Sequence, residues 1–266
     1  MLRVLDGRTG SYAEIRPGRP GLLRVRAHGP QATGLSGVSA LRLLLAADLL
    51  ARTAELSGLQ VLTVLALGGK SPGQTAALDR DADALGIHPP AAHVGPDEAR
   101  APADGPFDVH VISEAATFDD GQGGLVMRVG AARMRGPDTA NAAAAEESAA
   151  EHGQDPLAVR LALMSFPFNQ FADLTADVLA GARETLGRWR HRVAEWAESP
   201  SKPIPPHIAE MTRAAFDHLD TVSVLAQLRG VAAEASVPPG AKFETFVYAD
   251  RILGLELARE IGHLPG

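Results

Sequence analysis

Two pairs of side chains in this sequence have the chemistry of a binding site. Arg133 and Arg135 are two residues apart, and guanidinium groups bind carboxylates and phosphates through paired hydrogen bonds. His28 and His110 are imidazoles, which are competent zinc ligands. Each pair also has a plainer interpretation, because the arginines fit a solvated basic hairpin and the histidines fit the edge of a core. The elements that position these residues therefore have to be identified first.

Common catalytic motifs are absent from the sequence. It contains no G-x-S-x-G elbow, no Walker lysine motif and no H-E-x-x-H helix. The glycines within residues 121–124 precede a strand pattern instead of opening a helix, which favours a turn over a phosphate cradle. Trp189 and Trp196 are seven residues apart, a spacing more typical of a core stripe than of a ligand cage.

Composition restricts the class of protein. With 266 residues, 45% of them hydrophobic, the chain can bury a sizeable core. A net charge of −7 argues against strong nonspecific binding to nucleic acid. The absence of cysteine excludes disulfides and thiolate metal sites. Apolar runs are shorter than the roughly 20 residues of a membrane span, and no signal-peptide pattern is present, so we expect a cytoplasmic protein.

Strand and helix patterns alternate in the first half. Residues 22–27 alternate apolar and basic positions between Gly/Pro pairs, which is typical of a strand. Residues 38–57 are rich in Leu and Ala and are followed by Gly58, which predicts a helix with a glycine cap. Residues 60–67 form a continuous apolar run that predicts a strand covered on both faces. A strand, helix and strand in this order predict a parallel crossover.

Weaker patterns continue this half of the chain. Residues 75–85 predict a short helix and residues 107–112 predict another buried strand. Residues 125–129 and Met134 flank Gly130 as the two arms of a hairpin would.

The second half is predicted to be helical. Asp155 followed by Pro156 is a capping residue with proline at the first helical position. A longer amphipathic helix covers residues 173–198, and residues 199–206, with four prolines, form a stiff linker. The long helix and three further helices would be enough for a small bundle. The additional helices are predicted over residues 208–217, 222–235 and 243–261.

The stretch LLRVRAHGPQATGLSGVSALRLLLAADLLARTAELSG resembles the opening of cysteinyl-tRNA synthetases and of the related cysteine ligases of mycothiol biosynthesis. In these class I families a strand runs into Cys-Gly-Pro-Thr, followed by the HIGH motif and a long helix ending in Gly. Gly29 and Pro30 keep the turn here, while Asp48, Arg52 and Gly58 fall where the family's helix carries similar residues. The later segments HGQDPLAVRLALMS and TRAAFDHLDTVSVLAQL resemble the post-catalytic helix and the bundle domain.

The resemblance implies a two-part α/β protein. Residues 1–154 would form a reduced, degenerate Rossmann-like domain with a parallel sheet of class I synthetase type. Residues 155–266 would form a helical bundle domain similar to the stem and bundle region of the synthetases. Most of the insertion between the two catalytic motifs of the family is missing from this chain.

The catalytic motifs of the family are changed. The HIGH histidines correspond to Gly37 and Ala40, which leaves Ser39 as a hydrogen-bond donor in this tetrapeptide. In the KMSKS counterpart, Arg133 falls on the first lysine, whereas Arg135 and the residues after it replace the serines and the second lysine. Adenylation needs donors aimed at the phosphates, and removing one such donor typically costs about 10²–10³ in rate. The resemblance therefore implies loss of this activity.

The zinc site of the family is also incomplete. His28 occupies the position of the first zinc-binding cysteine, and the Asp-Val-His that ends at His110 resembles the family's Asp-Ile-His. The remaining ligands would lie in the missing insertion. We therefore expect no bound metal.

The resemblance implies a protein that binds a small molecule or a protein partner without catalysing adenylation. The alternative is an ATP-dependent ligase that activates a carboxylate, of cysteine or another amino acid, with rewired residues. The first hypothesis requires no cofactor, although ATP or an adenylate would be a suitable ligand. Binding of tRNA is disfavoured by the net charge of the chain. The oligomeric state stays open. The candidate ligand-binding residues are His28, Gly29, Gln31, Ser39, Arg133 and Arg135.

Overall fold

The computed structural model describes residues 2–29, 37–66, 72–94, 106–114, 116, 118, 123–134 and 155–262. Within these ranges the chain forms nine strands and seven helices. The strands are β1 (Arg3–Asp6), β2 (Ser11–Glu14), β3 (Leu22–His28), β4 (Gln60–Ala66), β5 (Ala92–Val94), β6 (Val109–Ser113), β7 (Leu125–Val129), β8 (Ala132–Met134) and β9 (Ala172–Leu174). The helices are α1 (Gly37–Leu56), α2 (Pro72–Ala84), α3 (Pro156–Met164), α4 (Ala176–Ala197), α5 (Pro206–Asp217), α6 (Thr221–Ala233) and α7 (Pro239–Leu253).

Seven of the strands form one sheet in the order β2-β1-β7-β6-β3-β4-β5. β3 is parallel to both β4 and β6, and the outer pairs β4-β5 and β6-β7 are parallel as well. β1 is antiparallel to β2 and β7. The predicted α/β fold with a mostly parallel sheet is therefore confirmed, and β3, α1 and β4 form the predicted crossover.

Helix α1 is buried around most of its circumference. Its Leu- and Ala-rich sequence contributes a long series of buried side chains, from Val38 to Ala54, to the hydrophobic core. Leu23, Val25 and Ala27 alternate along β3, are fully buried and belong to the same core. Gly58 follows the helix with φ of 87°, a left-handed conformation that glycine adopts without steric cost. The predicted glycine cap is therefore confirmed.

A buried carboxylate joins α1 to the helical half. Asp48 Oδ2 accepts a hydrogen bond of 2.7 Å from Arg160 NH2 in α3 and one of 2.9 Å from Arg52 Nε. Asp48 and Arg160 are almost completely shielded from solvent. Burial lowers the pKa of Arg160, and the nearby Asp48 opposes this by raising it. The two helices are thus connected by an ion pair in the core.

The same arginines also bind backbone carbonyls at two chain turns. Arg160 donates to Leu253 O at 2.6 Å and to Leu85 O at 3.0 Å. Arg52 donates to Gly86 O at 2.7 Å. Because these carbonyls lie at the C-terminal ends of α2 and α7, one cluster of charges fixes four helices relative to one another.

The helical half follows the sequence prediction closely. Asp155 caps α3 by accepting a hydrogen bond from Leu157 N, and Pro156 occupies its first position. Trp189 and Trp196 both contact Phe246 in edge-to-face geometry and are buried, as expected for a core stripe. Among the described residues, no helix is both long and apolar enough to cross a membrane.

The predicted hairpin around Gly130 is wrong. β7 lies in the large sheet, whereas β8 pairs in parallel with β9 in a separate two-stranded sheet. Gly130 N donates to Phe168 O at 2.8 Å, and a Cβ at Gly130 would lie 2.2 Å from Gln170 O. At this glycine the chain therefore packs against the loop that follows α3, and it does not turn back to pair with β7.

A buried arginine explains this path. Arg42, in α1, is fully buried and donates to Gln170 O and Pro167 O at 2.7 Å each, and to Ala131 O at 3.2 Å. Burial lowers the pKa of Arg42 to about 10, so the group remains charged near neutral pH. This cation draws the carbonyls of two distant segments together, and the segments pair as β8 and β9.

Other differences concern short or terminal elements. The sequence analysis did not predict β1, β2 or β5, which have only three or four residues each. It also extended the last helix too far, because α7 ends before Gly254, which has φ of 61°. Asp173 and Leu174 form part of β9 rather than the start of a helix, and α4 begins after Thr175, whose side chain caps it.

We predict that Asp48→Asn strongly destabilises the fold. Removal of this carboxylate leaves the charge of Arg160 buried without its ion-pair partner, a change that typically costs about 3–5 kcal/mol. Urea unfolding of the wild type and the variant measures the loss. Arg188→Ala, in the exposed pair that Arg188 forms with Glu184, is the control and should change stability by less than about 0.5 kcal/mol. Equal effects of the two variants would contradict the role assigned to Asp48.

Candidate functional site

The candidate site lies where the strand order of the sheet reverses. From β3 the chain continues through α1 to β4 and later to β5, whereas β6 adds to the other side of β3. In open parallel sheets, ligands bind outside the carboxyl ends of the strands at this switch point. The carboxyl ends here are His28 with Gly29 after β3, and Ser113 in β6.

Two histidines form a direct pair beside this position, since His28 ends β3 and His110 is the second residue of β6. The distance between His28 Nε2 and His110 Nδ1 is 3.0 Å, a hydrogen bond in which one imidazole donates and the other accepts. His110 is only 1% exposed, and His28 is half-buried at the end of its strand. Parallel pairing of β3 with β6 sets Arg26 opposite His110, so the strand register creates the contact between His110 and the next residue on the same face, His28.

Aromatic rings surround the pair. The ring of Phe118 lies 4.8 Å from the ring of His110 and 5.7 Å from that of His28, measured between centroids. Phe107 contacts His110 at 5.9 Å, and the guanidinium of Arg26 lies 5.8 Å from the Phe107 centroid. The pair therefore contacts two apolar rings and has the guanidinium of Arg26 nearby.

This environment keeps both imidazoles neutral. Burial, followed by the charge of Arg26, lowers the pKa of His28 to about 3. Burial and the charges of Arg26 and Arg8 lower the pKa of His110 to about 4. Among the described residues, His110 Nε2 has no side-chain partner, and the backbone of Gly123 offsets part of this lowering by hydrogen bonding. At neutral pH the site therefore offers neutral nitrogen donors and acceptors next to a positive charge.

The residues do not fit the zinc site that the family resemblance implies. Zinc requires about four ligands, and the described residues contain no group of three or more His, Asp or Glu that could hold a metal ion. His28 and His110 also use one nitrogen each for their mutual hydrogen bond. The Arg26 charge, which already lowers both pKa values, would repel a divalent cation.

Ser39 has a structural role in α1. Its hydroxyl donates to Ala132 O at 2.8 Å and accepts from Ala132 N at 2.9 Å. Ser39 is buried, with 8% of its surface exposed. The side chain thus attaches the first turn of α1 to β8, and both hydrogen-bonding functions of the hydroxyl are directed at this one residue.

Arg133 is paired on the surface of β8. Its guanidinium donates to both carboxylate oxygens of Asp173, at 3.4 and 3.1 Å, and lies 5.6 Å from the ring of Phe171. About half of the Arg133 side chain is exposed. The arginine is therefore accessible, but its charge is already matched by a carboxylate.

The other candidate residues divide into two groups. Gly29 continues the parallel pairing of β3, because its N–H donates to Ala66 O at 2.8 Å. Gln31 and Arg135 lie outside the described residues. The structure thus brings His28 and Gly29 to the switch point and places Ser39 beside the β8 strand that carries Arg133.

The sequence analysis missed the residues that shape the histidine pair. Arg26 was seen only as a basic position in an alternating strand, and Phe107 as part of a buried strand. The period of two along β3 does place Arg26 and His28 on one face. Their proximity to Phe107 and Phe118 depends on pairing between β3 and β6, which the sequence does not reveal.

No known family model matches the chain. A search of characterised proteins finds an L-cysteine:1D-myo-inositol 2-amino-2-deoxy-alpha-D-glucopyranoside ligase from Streptosporangium roseum that is 34% identical over 107 residues. The match covers 39% of this chain and 26% of the ligase. The matched part thus spans about a quarter of the length of that relative.

We predict that the histidine pair makes the fold sensitive to acid. An unfolded imidazole takes up a proton near pH 6.5, whereas the folded His28 and His110 do so near pH 3 and 4. Because the unfolded state binds more protons in this interval, the unfolding free energy falls as the pH drops below about 6.5, by at most about 1.4 kcal/mol per pH unit for each imidazole.

Urea unfolding between pH 7 and pH 4 measures this dependence. The variant His110→Phe, which keeps an aromatic ring at the position, should show a shallower decline than the wild type. Side-chain NMR of His28 and His110 should show neutral rings at pH 5.5. Protonation of both rings near pH 6.5 would refute the assignment.

We also predict that the protein purified without a histidine tag contains well under one zinc per chain. The reason is the missing third ligand at the histidine pair. Elemental analysis provides the measurement. Near-stoichiometric zinc that disappears in His28→Ala would overturn the prediction.

Proposed function

We propose that this chain is a cysteine-ligase-like protein that binds a small molecule at the switch point and has lost the apparatus for adenylation. The single observation that carries the proposal is the division of roles among the candidate residues. Ser39 and Arg133 bind groups of the protein itself, while the buried His110 contacts His28 at the carboxyl end of β3, where α/β sheets bind ligands, and its Nε2 has no side-chain partner among the described residues.

The proposed loss of adenylation rests on where the Ser39 and Arg133 side chains are directed. Transfer to the α-phosphate of ATP requires preorganised donors aimed at developing negative charge. The Ser39 hydroxyl is directed at Ala132, and the Arg133 guanidinium at Asp173. Neither replaces the histidines or the second lysine of the motifs that the sequence resembles. These observations support a pseudoenzyme, that is, a protein that resembles the ligases and binds a ligand without catalysing adenylation.

The chemistry around the histidine pair indicates which class of ligand it would bind. Neutral imidazoles can donate or accept hydrogen bonds, Phe107 and Phe118 provide apolar surface, and Arg26 adds a positive charge. A small polar molecule with a negative group matches these properties. The similarity to an L-cysteine ligase makes cysteine, ATP and an adenylate the first molecules to test. A cytoplasmic location and a protein partner, for which a full-length ligase is the first choice, belong to the same proposal.

A ligase with rewired residues is the second candidate. Two observations favour it, namely the 34% identity to a ligase over 107 residues and the half-exposed guanidinium of Arg133. In this alternative, Arg133 would exchange Asp173 for a phosphate, since both partners accept paired hydrogen bonds.

We predict no ATP–pyrophosphate exchange with any amino acid and no aminoacylation of tRNA. If each lost donor costs about 10² or more, two or three losses reduce the rate by about 10⁴–10⁶. Exchange of labelled pyrophosphate into ATP measures the activity, with an intact cysteinyl-tRNA synthetase as positive control. Exchange above background that Arg133→Ala abolishes would establish the ligase alternative instead.

Binding is tested separately by thermal shift with ATP, cysteine, cysteinyl-sulfamoyl adenosine and tRNA. We expect one of the small molecules to raise the melting temperature, and this shift to shrink in His110→Phe. Arg188→Ala, on the surface of α4, is the control variant and should keep the full shift. A shift with tRNA alone, or the same shift in His110→Phe, would contradict binding at the switch point.

A further inference from the structure

A second cleft lies between the sheet and the helical half. It has a volume of about 210 Å³ and is lined by β1, β2 and β7, by the loop after α3 and by the turn between α5 and α6. β7 and β1 are the second and third strands from β3 in the sheet order, which corresponds to separations of about 10 and 14 Å from β3. We call this second cleft the junction cleft. Junctions between parts of a protein are frequent positions for small-molecule sites.

Two aromatic rings form one wall of the junction cleft. Tyr12 of β2 and His218 after α5 have ring centroids 4.8 Å apart and an interplanar angle of 56°. Tyr12 is 45% exposed. In the described part of the chain, neither the Tyr12 hydroxyl nor the His218 imidazole makes a hydrogen bond. The wall therefore combines an open ring surface with polar atoms that a ligand can reach.

The turn after α5 fixes His218 in this position. Leu219 has φ of 52°, a left-handed conformation that is uncommon for a residue other than glycine. Its side chain is buried, and Asp220 N donates to Ala215 O at 2.9 Å, which closes the helix end. The wall is thus held by an anchored turn.

Arg128 supplies a positive charge to the same cleft. Its side chain crosses directly over Gly7, where an added Cβ would lie 2.6 Å from Arg128 Cγ. Its guanidinium donates to Glu114 O at 3.3 Å, which leaves most of its donors available. The carboxylate of Asp220 also lines the cleft, but it caps α6 by accepting hydrogen bonds from Ser223 N and Oγ.

We propose that the junction cleft binds a small aromatic carboxylate. The ring of the ligand would stack on Tyr12 and His218, and its carboxylate would receive paired hydrogen bonds from Arg128, whose planar fork matches this group. The volume agrees with this size, since a cavity of roughly 150 Å³ accepts benzene in another protein. Among the described residues that line the cleft, Arg128 is the cation and Asp220 the carboxylate, so the cleft favours a single negative charge. The proposal uses none of the residues of the histidine site.

Calorimetric titration of the 266-residue chain with benzoate and indole-3-carboxylate as probes tests the proposal. Benzamide and acetate are the matched comparisons, because one lacks the charge and the other lacks the ring. We expect saturable binding of the aromatic acids, at least about tenfold tighter than either comparison, as a charged hydrogen bond and a stacked ring would provide.

Variants assign the binding to the cleft. Tyr12→Ala and Arg128→Gln should each weaken benzoate binding by about tenfold or more. Phe171→Ala removes an equally exposed ring, and Arg16→Gln removes an exposed arginine; both should bind benzoate as the wild type does.

Three results would overturn the proposal. They are the absence of saturable binding by both aromatic acids, equal affinity for benzoate and benzamide, and unchanged benzoate affinity in Tyr12→Ala. Thermal melting of each variant identifies any that fail to fold. The comparison of benzoate with benzamide on the wild type decides the question even if Tyr12→Ala does not fold.

Discussion

The buried ion pair between Asp48 and Arg160 is the interaction on which the arrangement of the molecule depends. A carboxylate and a guanidinium with almost no exposed surface are tolerated only when each finds its partner and further hydrogen bonds. Arg160 meets this requirement with Asp48 and with the carbonyls of Leu85 and Leu253. Through these contacts α3 holds the middle of α1 and the C-terminal ends of α2 and α7 in fixed positions. Helix α1 in turn packs against the sheet that carries the histidine pair.

The family resemblance can be explained in the same terms. Asp48, Arg52 and Gly58, which match the family's helix, have structural roles: the first two form the ion cluster and the third ends α1. The positions that differ from the donors of the resembled motifs are Gly37 and Ala40, in place of the two histidines, and Arg135 with the residues after it, in place of the serines and the second lysine. The part of the resemblance that the structure explains is therefore the part that concerns the fold.

The parts of the fold that could be predicted are those set by local patterns. The β3-α1-β4 crossover follows from the period of apolar residues and from Gly58, and the start of α3 follows from Asp155 and Pro156. The hairpin at Gly130 was wrong because that glycine contacts Gln170, a neighbour set by the fold and by the buried cation of Arg42. The division into two domains at residue 154 stays a prediction.

The candidate site was predictable to a similar extent. His28 and His110 were identified from the family resemblance, at the positions of a zinc-binding cysteine and of the family's Asp-Ile-His, and the structure brings them within hydrogen-bonding distance. Their neutral state could not be inferred from the sequence, because it results from burial and from the charge of Arg26, both of which depend on strand register. The aromatic wall at Tyr12 was not predicted either, since β2 is short and His218 follows it by some two hundred residues.

The sequence separation of the ion pair has a consequence for synthesis of the protein. Asp48 and Arg160 are 112 residues apart, and Arg160 reaches a further 93 residues to Leu253 O. At about 5–20 residues per second, a ribosome needs roughly 10–40 seconds to produce the chain between Asp48 and Leu253. During this time α1 carries many apolar side chains that are buried in the finished fold. The nascent chain is thus most exposed to aggregation before its last helix emerges, and the N-terminal half is the part that a chaperone would have to protect.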